Sequence, residues 1–229
     1  MTKKLKDVGL TEQVYGELKH DIISGHYQPG EKITISSLAA ALGVSPTPVR
    51  EAIRLLIAEG GLDLKPNHSV TVAALTADAY EEVARIRMEL EGMAASEAAR
   101  RRTERQLRSF IETNRKLETA RKAGRFETVL QHNRAFHFAL VEMASMPILA
   151  AVLETLWLRS GPLLNLLYEY QYRKPIKDHP HDQLVRAIRD GDAARASKAI
   201  RRDIELGTHV IVEHLRSREE AGADLRQRA

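Results

Sequence analysis

The chain has 229 residues, 43% of them hydrophobic, and a formal net charge of +4 at pH 7. This hydrophobic content is enough for a folded core and excludes a disordered protein, while the length allows one large domain or two modest ones. Because the chain contains no cysteine, disulfide scaffolds and thiolate chemistry are excluded as well.

The positive charge is unevenly distributed. Residues 1–75 hold eight basic and eight acidic side chains, so the whole excess lies in residues 76–229. The net positive charge of the chain is therefore no evidence that residues 1–75 bind nucleic acid. The first ten residues, "MTKKLKDVGL", contain no apolar signal segment, and no apolar run approaches the length of a membrane span. We expect a soluble cytoplasmic protein that contacts no membrane.

The residue pattern in the first third of the chain predicts short helices and strands. Apolar residues at helical spacing predict a helix in "TEQVYGELKHDII", ending near Gly25. "YQPGEKITI" predicts a turn and a short strand, and "SSLAAALG" a short helix. "LDLKPNHSVTVA" alternates apolar and polar residues around a turn-forming cluster, which indicates a β-hairpin.

Two prolines stand at the start of the next predicted helix, in "LGVSPTPVREAIRLL". With Ser45 as N-cap, Pro46 takes the first helical position and Pro48 the third. Proline loses no hydrogen bond there, because the first four N–H groups of a helix have no intrahelical partner. The prolines thus define a stiff helix start, behind which Arg50 and Arg54 lie one turn apart on one side.

This segment also matches the spacing of a helix-turn-helix motif, with a small residue at the helix crossing, a glycine in the turn and apolar residues that lock the two helices. The matching residues are Leu38, Ala39, Leu42, Gly43, Val44, Val49 and Ala52. In that motif the start of the second helix reaches base edges in the major groove, and the following hairpin would be a wing. An ordinary packed helical corner is the alternative, and the neutral charge of residues 1–75 favours it.

From Thr76 onward the pattern changes to long helices. They are predicted at 76–100, 103–123, 125–144, 148–172, 178–190 and 193–218, with breaks at Gly124, Pro147, Pro175, Pro180 and Gly191. The expected fold is mainly α: an N-terminal winged helix-turn-helix domain, residues 1–75, followed by an all-α antiparallel bundle of about six helices, residues 76–229.

Several polar residues fall on the apolar faces of these helices. They are Arg87 and Glu91 on the first, Asn133 and His137 on the third, His181 on the fifth and Asp203 on the last. A buried polar group without a partner is costly, so we expect the four helices to meet at these residues. For each residue taken singly, a hydrogen-bonded position in the core is the alternative.

Taken together, the residues indicate a ligand site. Asn133 and His137 are four apart and can hold one ion, and imidazole with carboxylate suits a divalent transition metal such as zinc or nickel. His179 could replace His181 if the helix register is shifted. Arg87 could grip the carboxylate of a ligand, and its alternative is an intrahelical ion pair with Glu91.

The segment "VSPTPVREAIRLLIAEGGLDLKPNHSVTV" resembles the winged helix-turn-helix of GntR-superfamily transcription regulators. The bundle that begins "EEVARIRMELEGMAASEAA" is similar to the all-helical FCD effector domain of the FadR-like branch, so the resemblance covers nearly the whole chain. It implies a homodimer that binds a palindromic operator and is controlled by a small, usually acidic, metabolite.

The resemblance also implies which residues contact DNA. The characteristic base-reading arginine of the family corresponds to Arg50, and the wing tip corresponds to Asn67 and His68. The expected DNA contacts are Ser45, Thr47, Arg50, Arg54, Asn67 and His68. The family commonly has arginine where this chain has Pro46, so we expect fewer cationic contacts and a shallower salt dependence of DNA binding.

Metal-binding members of the FCD family use an aspartate, a histidine four residues later and two further histidines. These ligands correspond to Asn133, His137, His181 and Asp203. Asn replaces the first carboxylate and Asp the last imidazole, which leaves a usable but altered ligand set. The resemblance implies that the metal anchors an effector carboxylate beside Arg87 and Glu91.

Two other functions stay open from the sequence. One is a metal-dependent enzyme, against which no second acid–base pair, phosphate loop or nucleophile elbow is present; we expect no enzyme activity. The other is a metabolite- or metal-binding helical dimer without sequence-specific DNA binding. Substitution of Arg50 distinguishes a regulator from the latter.

Overall fold

The computed structural model describes residues 2–170 and 178–227. It divides into two units. One comprises Met1–Leu75 and Trp157–Leu163, and the other comprises Thr76–Leu156 and Leu164–Ala229.

The first unit is a winged helix-turn-helix. Its elements are α1 (Thr2–Ile23), β1 (Lys32–Ile33), α2 (Ile35–Leu42), α3 (Pro46–Ala58), β2 (Leu62–Leu64) and β3 (Val70–Val72). The strands form an antiparallel sheet in the order β1-β3-β2. Leu62 pairs with Val72 and Leu64 with Val70, so β2 and β3 make the predicted hairpin.

Capping residues define where α2 begins and ends and where α3 begins. Thr34 starts α2 by accepting a hydrogen bond from the backbone N–H of Ser37 at 3.2 Å, and Gly43 ends it in the left-handed conformation, with φ of 64°. Pro46 begins α3 as predicted. Ser45 occupies the N-cap position as predicted, and its side chain makes no capping hydrogen bond.

The core of this unit is built on one face of α3. Val49, Ile53 and Leu56 are buried, as their spacing predicts. The segment Trp157–Leu163 belongs to the same core and packs closely, because a Cβ atom on Gly61 would lie 2.6 Å from Leu158 Cγ.

The second unit is an all-helical bundle. Its helices are α4 (Ala77–Arg101), α5 (Glu104–Lys122), α6 (Phe126–Ala144), α7 (Pro147–Ser160), α8 (Asn165–Tyr170), α9 (Pro180–Asp190) and α10 (Ala193–Gln227). The residues of α7 from Trp157 onward are counted with the first unit. α4 packs between α6 and α10, and α5 packs on α6 and α9. The rings of Phe110 and Phe136 stack at 4.4 Å in the core between α5 and α6. Among the described residues, no helix is long and apolar enough to cross a membrane.

The single helix predicted over 148–172 was wrong. α7 ends at Ser160, a short 3-10 turn runs over Gly161–Leu164, and α8 follows. Pro162 has no N–H to continue the helix and its ring obstructs the preceding turn. Residues 171–172 of the predicted helix and the predicted break at Pro175 lie outside the described residues.

Two glycines of the first unit give a matched test of its packing. Gly61→Ala should lower the free energy of unfolding by about 1–3 kcal/mol, because the new methyl group overlaps the fully buried Leu158. Gly16→Ala, inside α1 with nothing within 4 Å of the added Cβ, should raise it by up to about 1 kcal/mol through helix propensity. Urea unfolding measures both. Equal effects of the two substitutions would contradict the close packing at Gly61.

Candidate functional site

The outward face of α3 carries most of the side chains predicted to contact DNA. Ser45, Thr47 and Arg50 are exposed, and Arg50 makes no ion pair within the part of the chain that the structure describes. Arg54 is exposed as well, but its guanidinium donates to Glu51 at 2.7 Å. Arg50 therefore has its donors available for an external partner, whereas Arg54 already shares its charge.

The start of α3 offers fewer backbone donors than most helices. The first four N–H positions belong to residues 45–48, and two of these residues, Pro46 and Pro48, have no N–H. The capacity of this helix start to bind phosphate is thereby reduced. The hydroxyl groups of Ser45 and Thr47 are the remaining polar groups that can supplement it.

The tip of the hairpin is a tight turn held by its own side chains. Asn67 Oδ1 accepts hydrogen bonds from the backbone N–H and the hydroxyl of Ser69, at 3.1 and 2.7 Å. His68 adopts the left-handed conformation with φ of 60°, and its side chain is exposed at the tip. Asn67 thus shapes the turn, and His68 is the side chain that the turn presents outward.

Three of the four predicted metal ligands meet inside the second unit. His137 from α6, His181 from α9 and Asp203 from α10 each offer one ligand atom, and these atoms lie within 4.8 Å of one another. His181 Nε2 is 3.1 Å from Asp203 Oδ1, and His137 Nε2 is 3.4 Å from Asp203 Oδ2. The fourth, Asn133, is buried on α6 one turn before His137.

His181 is the least satisfied member of this cluster. It is 1% exposed, yet neither ring nitrogen has a hydrogen-bond partner within the described residues. Its Nε2 is close to the Asp203 carboxylate, but the contact lacks hydrogen-bond geometry. A buried polar atom without a partner costs about 1–3 kcal/mol. A metal ion between Nε2 and the Asp203 carboxylate would give Nε2 a partner, so these two groups fit a cation.

A second layer of charge lies behind His137. The Nδ1–H of His137 donates to Glu91 Oε2 at 2.5 Å, and Glu91 Oε1 accepts from Arg87 Nε at 2.8 Å. All three side chains are at most 3% exposed. This arrangement leaves Nε2 of His137 directed towards Asp203, as is usual for a metal-binding histidine held by a carboxylate.

The pKa values follow from this network. Burial alone would raise the pKa of Glu91, but Arg87 and His137 lower it to about 2. Burial would lower the pKa of His137, but Glu91 and Asp203 raise it to about 9. Burial would also raise the pKa of Asp203, whereas His181 and His137 hold it well below its usual range. Asp203 is thus ionised at neutral pH, with its charge next to His137 and His181.

His179 lies next to the cluster but has a structural role. It is the N-cap of α9, where its Nδ1 accepts the backbone N–H of His181 at 3.2 Å. Burial, together with the neighbouring His181, lowers its pKa to about 4, so it is neutral at pH 7. His181, rather than His179, faces Asp203, in the register that the sequence predicted.

Two family models match the chain in the order of its two units. The model of bacterial regulatory proteins of the gntR family matches residues 10–72, and the FCD domain model matches residues 82–206. The chain belongs to the GntR family. It is therefore a transcription regulator, with a DNA-binding helix-turn-helix and an FCD domain, the effector-binding domain of the family, and not an enzyme.

Curated relatives extend over most of the chain. The HTH-type transcriptional regulator McbR of Escherichia coli K12 is 38% identical over 178 residues, which cover 78% of this chain and 80% of McbR. The HTH-type transcriptional repressor GlaR of the same organism is 28% identical over 205 residues, covering 83% and 90%. The solved structure of E. coli McbR/YncC superposes with a TM-score of 0.83 at 32% identity, covering 90% of this chain and 98% of that one.

The contact between Glu91 and His137 was not predicted from the sequence. Each residue stands on the apolar face of its own helix, which is the signal that both are buried. The pairing itself requires that α4 and α6 lie side by side with these two positions at the same level. The predicted alternative for Arg87, an ion pair with Glu91, is present.

Glu91→Gln tests the buried network. We expect it to lower the free energy of unfolding by about 3–5 kcal/mol, since Arg87 and protonated His137 lose their shared counter-charge. The ionised Glu91 contributes fully to the free energy of unfolding above its ordinary pKa of 4.5. This contribution is lost as the pH falls through the folded-state pKa of about 2. Urea unfolding between pH 7 and pH 2 should therefore show the difference from wild type shrinking below pH 4.5.

The matched control is Glu89→Gln on the same helix. Glu89 pairs with Arg201 in solvent, so its substitution should change stability little. If both variants lose the same stability, or if the Glu91→Gln difference is independent of pH, Glu91 does not carry a buried counter-charge.

Proposed function

We propose that this regulator is a cytoplasmic, ligand-responsive repressor that binds palindromic operator DNA as a homodimer and is controlled by a small carboxylate metabolite. The observation that carries the proposal is the cluster of the buried His137 and His181 with the partly buried Asp203 inside the FCD domain. A repressor role is supported by the similarity to GlaR, which is named a transcriptional repressor.

On the DNA side, Arg50 is the proposed base-reading residue. It is exposed on the second helix of the motif and makes no ion pair within the described residues, and arginine reads guanine through O6 and N7 in the major groove. Ser45 and Thr47 supply phosphate contacts beside it, and His68 at the wing tip approaches the minor groove. In a homodimer the two motifs meet half-sites about one helical turn apart.

On the effector side, we propose that His137, His181 and Asp203 hold one divalent transition metal such as zinc or nickel, with Asn133 as a further donor. Two imidazoles and one carboxylate are a usual ligand set for such ions and leave positions open. The bound metal would supply a Lewis-acid anchor for the carboxylate of the effector. The assignment is supported by His181 Nε2, which lies 3.1 Å from Asp203 Oδ1 without a hydrogen bond.

Arg87 and Glu91 then support the site from behind. Glu91 fixes the ring of His137 through Nδ1, and Arg87 balances the charge of Glu91. A direct ion pair between Arg87 and the effector would have to compete with the buried ion pair between Arg87 and Glu91. We propose that the effector alters the spacing of the two helix-turn-helix motifs in the dimer and thereby the affinity for the operator.

Arg50→Ala tests the DNA-binding assignment. We expect the dissociation constant for an operator, selected by the wild-type protein from a random duplex library, to rise by about 5- to 150-fold, which corresponds to about 1–3 kcal/mol for one bidentate base contact. Fluorescence anisotropy measures the change. The control, Arg115→Ala on α5, removes the same charge from an exposed pair with Glu112 and should bind almost as wild type. An equal loss in both variants, or none in Arg50→Ala, would refute the assignment.

Metal analysis tests the effector site. Protein purified without chelators and without a nickel column should contain about one divalent ion per chain or take up one equivalent of added zinc. His137→Ala should abolish this binding, whereas His209→Ala, which removes an exposed imidazole from α10, should retain it. Wild-type protein that binds no zinc in calorimetry, or a folded His137→Ala variant that binds one equivalent, would contradict the proposed site.

A further inference from the structure

One face of α5 carries two side-chain oxygen atoms that are buried without a hydrogen-bond donor. Asn114 is 7% exposed, and its Oδ1 has no partner within the described residues. One turn further along the helix, Glu118 Oε1 is likewise buried and has no donor among those residues. Residues four apart lie on adjacent turns of one helix face. Because a buried acceptor without a donor costs free energy, these two atoms indicate that a donor binds here.

The other atoms of the same side chains do have partners. Asn114 Nδ2 donates to Asp182 Oδ1 at 2.9 Å, and Arg121 Nη2 donates to Glu118 Oε2. The side chains of Glu118 and Arg121 are only 17% and 13% exposed. One of the two carboxylates is thus paired with a positive charge, whereas Asp182 is paired with a neutral amide. We call Asn114, Glu118 and Asp182 the acceptor group; it offers oxygen atoms and an excess of negative charge.

Two sets of contacts connect this face of α5 to His181. Asn114 bonds Asp182, which follows His181 in the first turn of α9. Phe110, one turn before Asn114 on the same face, stacks on Phe136 at 4.4 Å, and the ring of Phe136 lies 4.4 Å from the ring of His181. Phe110 and Asn114 share an arc of about 40° at 3.6 residues per turn. The acceptor group therefore lies on the side of α5 that faces the metal-ligand cluster.

From these contacts we propose that the acceptor group binds a protonated amine of the effector, whose carboxylate binds at the metal. An ammonium group supplies hydrogen-bond donors only and carries a positive charge. It can satisfy Asn114 Oδ1 and Glu118 Oε1 together, and it balances the negative charge that Arg121 leaves in the group. The effector class is therefore an amino carboxylate. The inference rests on the proposed function, because it extends the same effector site.

Two other occupants of the acceptor group predict different binding. A hydroxyl group of the effector has one proton to donate and no charge, so it satisfies one of the two oxygen atoms and leaves the negative charge unbalanced. A buried water molecule satisfies both oxygen atoms without any effector. A hydroxyl group predicts a preference for hydroxy acids, and a water molecule predicts no preference among acids of the same length.

Matched acids distinguish the three occupants. Zinc-loaded protein is titrated in a calorimeter with straight-chain acids of increasing length, each with an amine, a hydroxyl or no group at the end opposite the carboxylate. At the length that spans the site, we expect the amino acid to bind about 10- to 150-fold more tightly than the hydroxy acid, which is the range for a charged hydrogen bond. A preference for the hydroxy acid, equal binding of all three acids, or binding of none of them by zinc-loaded protein overturns the inference.

Two variants assign the preference to the acceptor group. Asn114→Leu removes one acceptor and should lower the preference for the amine by about 2- to 13-fold. Glu118→Gln keeps an acceptor oxygen but removes the charge, and should lower it by about 5- to 13-fold; it carries the test if Asn114→Leu does not fold. The control, Glu112→Gln, makes the same change in an exposed pair with Arg115 on the same helix and should retain the wild-type preference. An unchanged preference in folded Asn114→Leu or Glu118→Gln also overturns the inference.

The outcomes separate this inference from the proposed function. A protein that binds zinc and acids without preferring the amine loses only the inference. A protein that binds no zinc loses the proposed metal site, and the inference stands if that protein still prefers amino acids and Asn114→Leu lowers the preference. A protein that binds neither zinc nor any acid of the series loses both.

Discussion

The organisation of the helical unit depends on the pairing of charges that are buried at its centre. Arg87, Glu91, His137 and Asp203 bring positive and negative groups into a region where an unpaired charge would be prohibitively costly. Each charge lies against one of opposite sign, and the chain of contacts runs from α4 through α6 to α10. Since breaking any one contact leaves its partner uncompensated, the network specifies how these helices must sit beside one another.

Hydrogen bonds within the described residues do not satisfy every side chain next to this network. Glu91 and Arg87 are satisfied within the protein, whereas both nitrogens of His181 lack a hydrogen-bond partner within the described part of the chain. Stability and the proposed ligand binding therefore draw on one set of residues. The side facing α4 contributes to folding, and the side facing α9 and α10 is where we propose that a cation binds.

The DNA-binding unit does not depend on buried charges. The main feature of its recognition helix is a start made rigid by two prolines, and it carries few cationic side chains. Pro46 and Pro48 set where α3 begins, but they also remove two backbone donors. With Arg54 paired to Glu51, the cationic contribution of this helix falls mainly on Arg50. Such a surface depends on a few well-placed contacts, and its affinity for DNA should respond less to salt than that of a strongly basic one.

Much of this architecture was readable in the sequence, because helix starts, helix ends and apolar faces are local properties. The winged motif, the long helices and the burial of Asn133, His137 and His181 followed from periodicity and from the position of proline and glycine. The break of the predicted helix 148–172 at Gly161 was missed, although Pro162 was its visible cause. Because the pattern of apolar residues continues across the break, periodicity alone does not show that the helix is interrupted there.

What the sequence alone determined was which side chains are buried and which face of each helix they occupy. Which buried groups touch was decided only by the tertiary structure. His137 and Asp203 are far apart along the chain, and their approach depends on the register of α6 against α10. Likewise, the contact between Glu91 and His137 was not expected from the sequence. Such contacts depend on how helices pack across the core, and helix periodicity carries no information about that register.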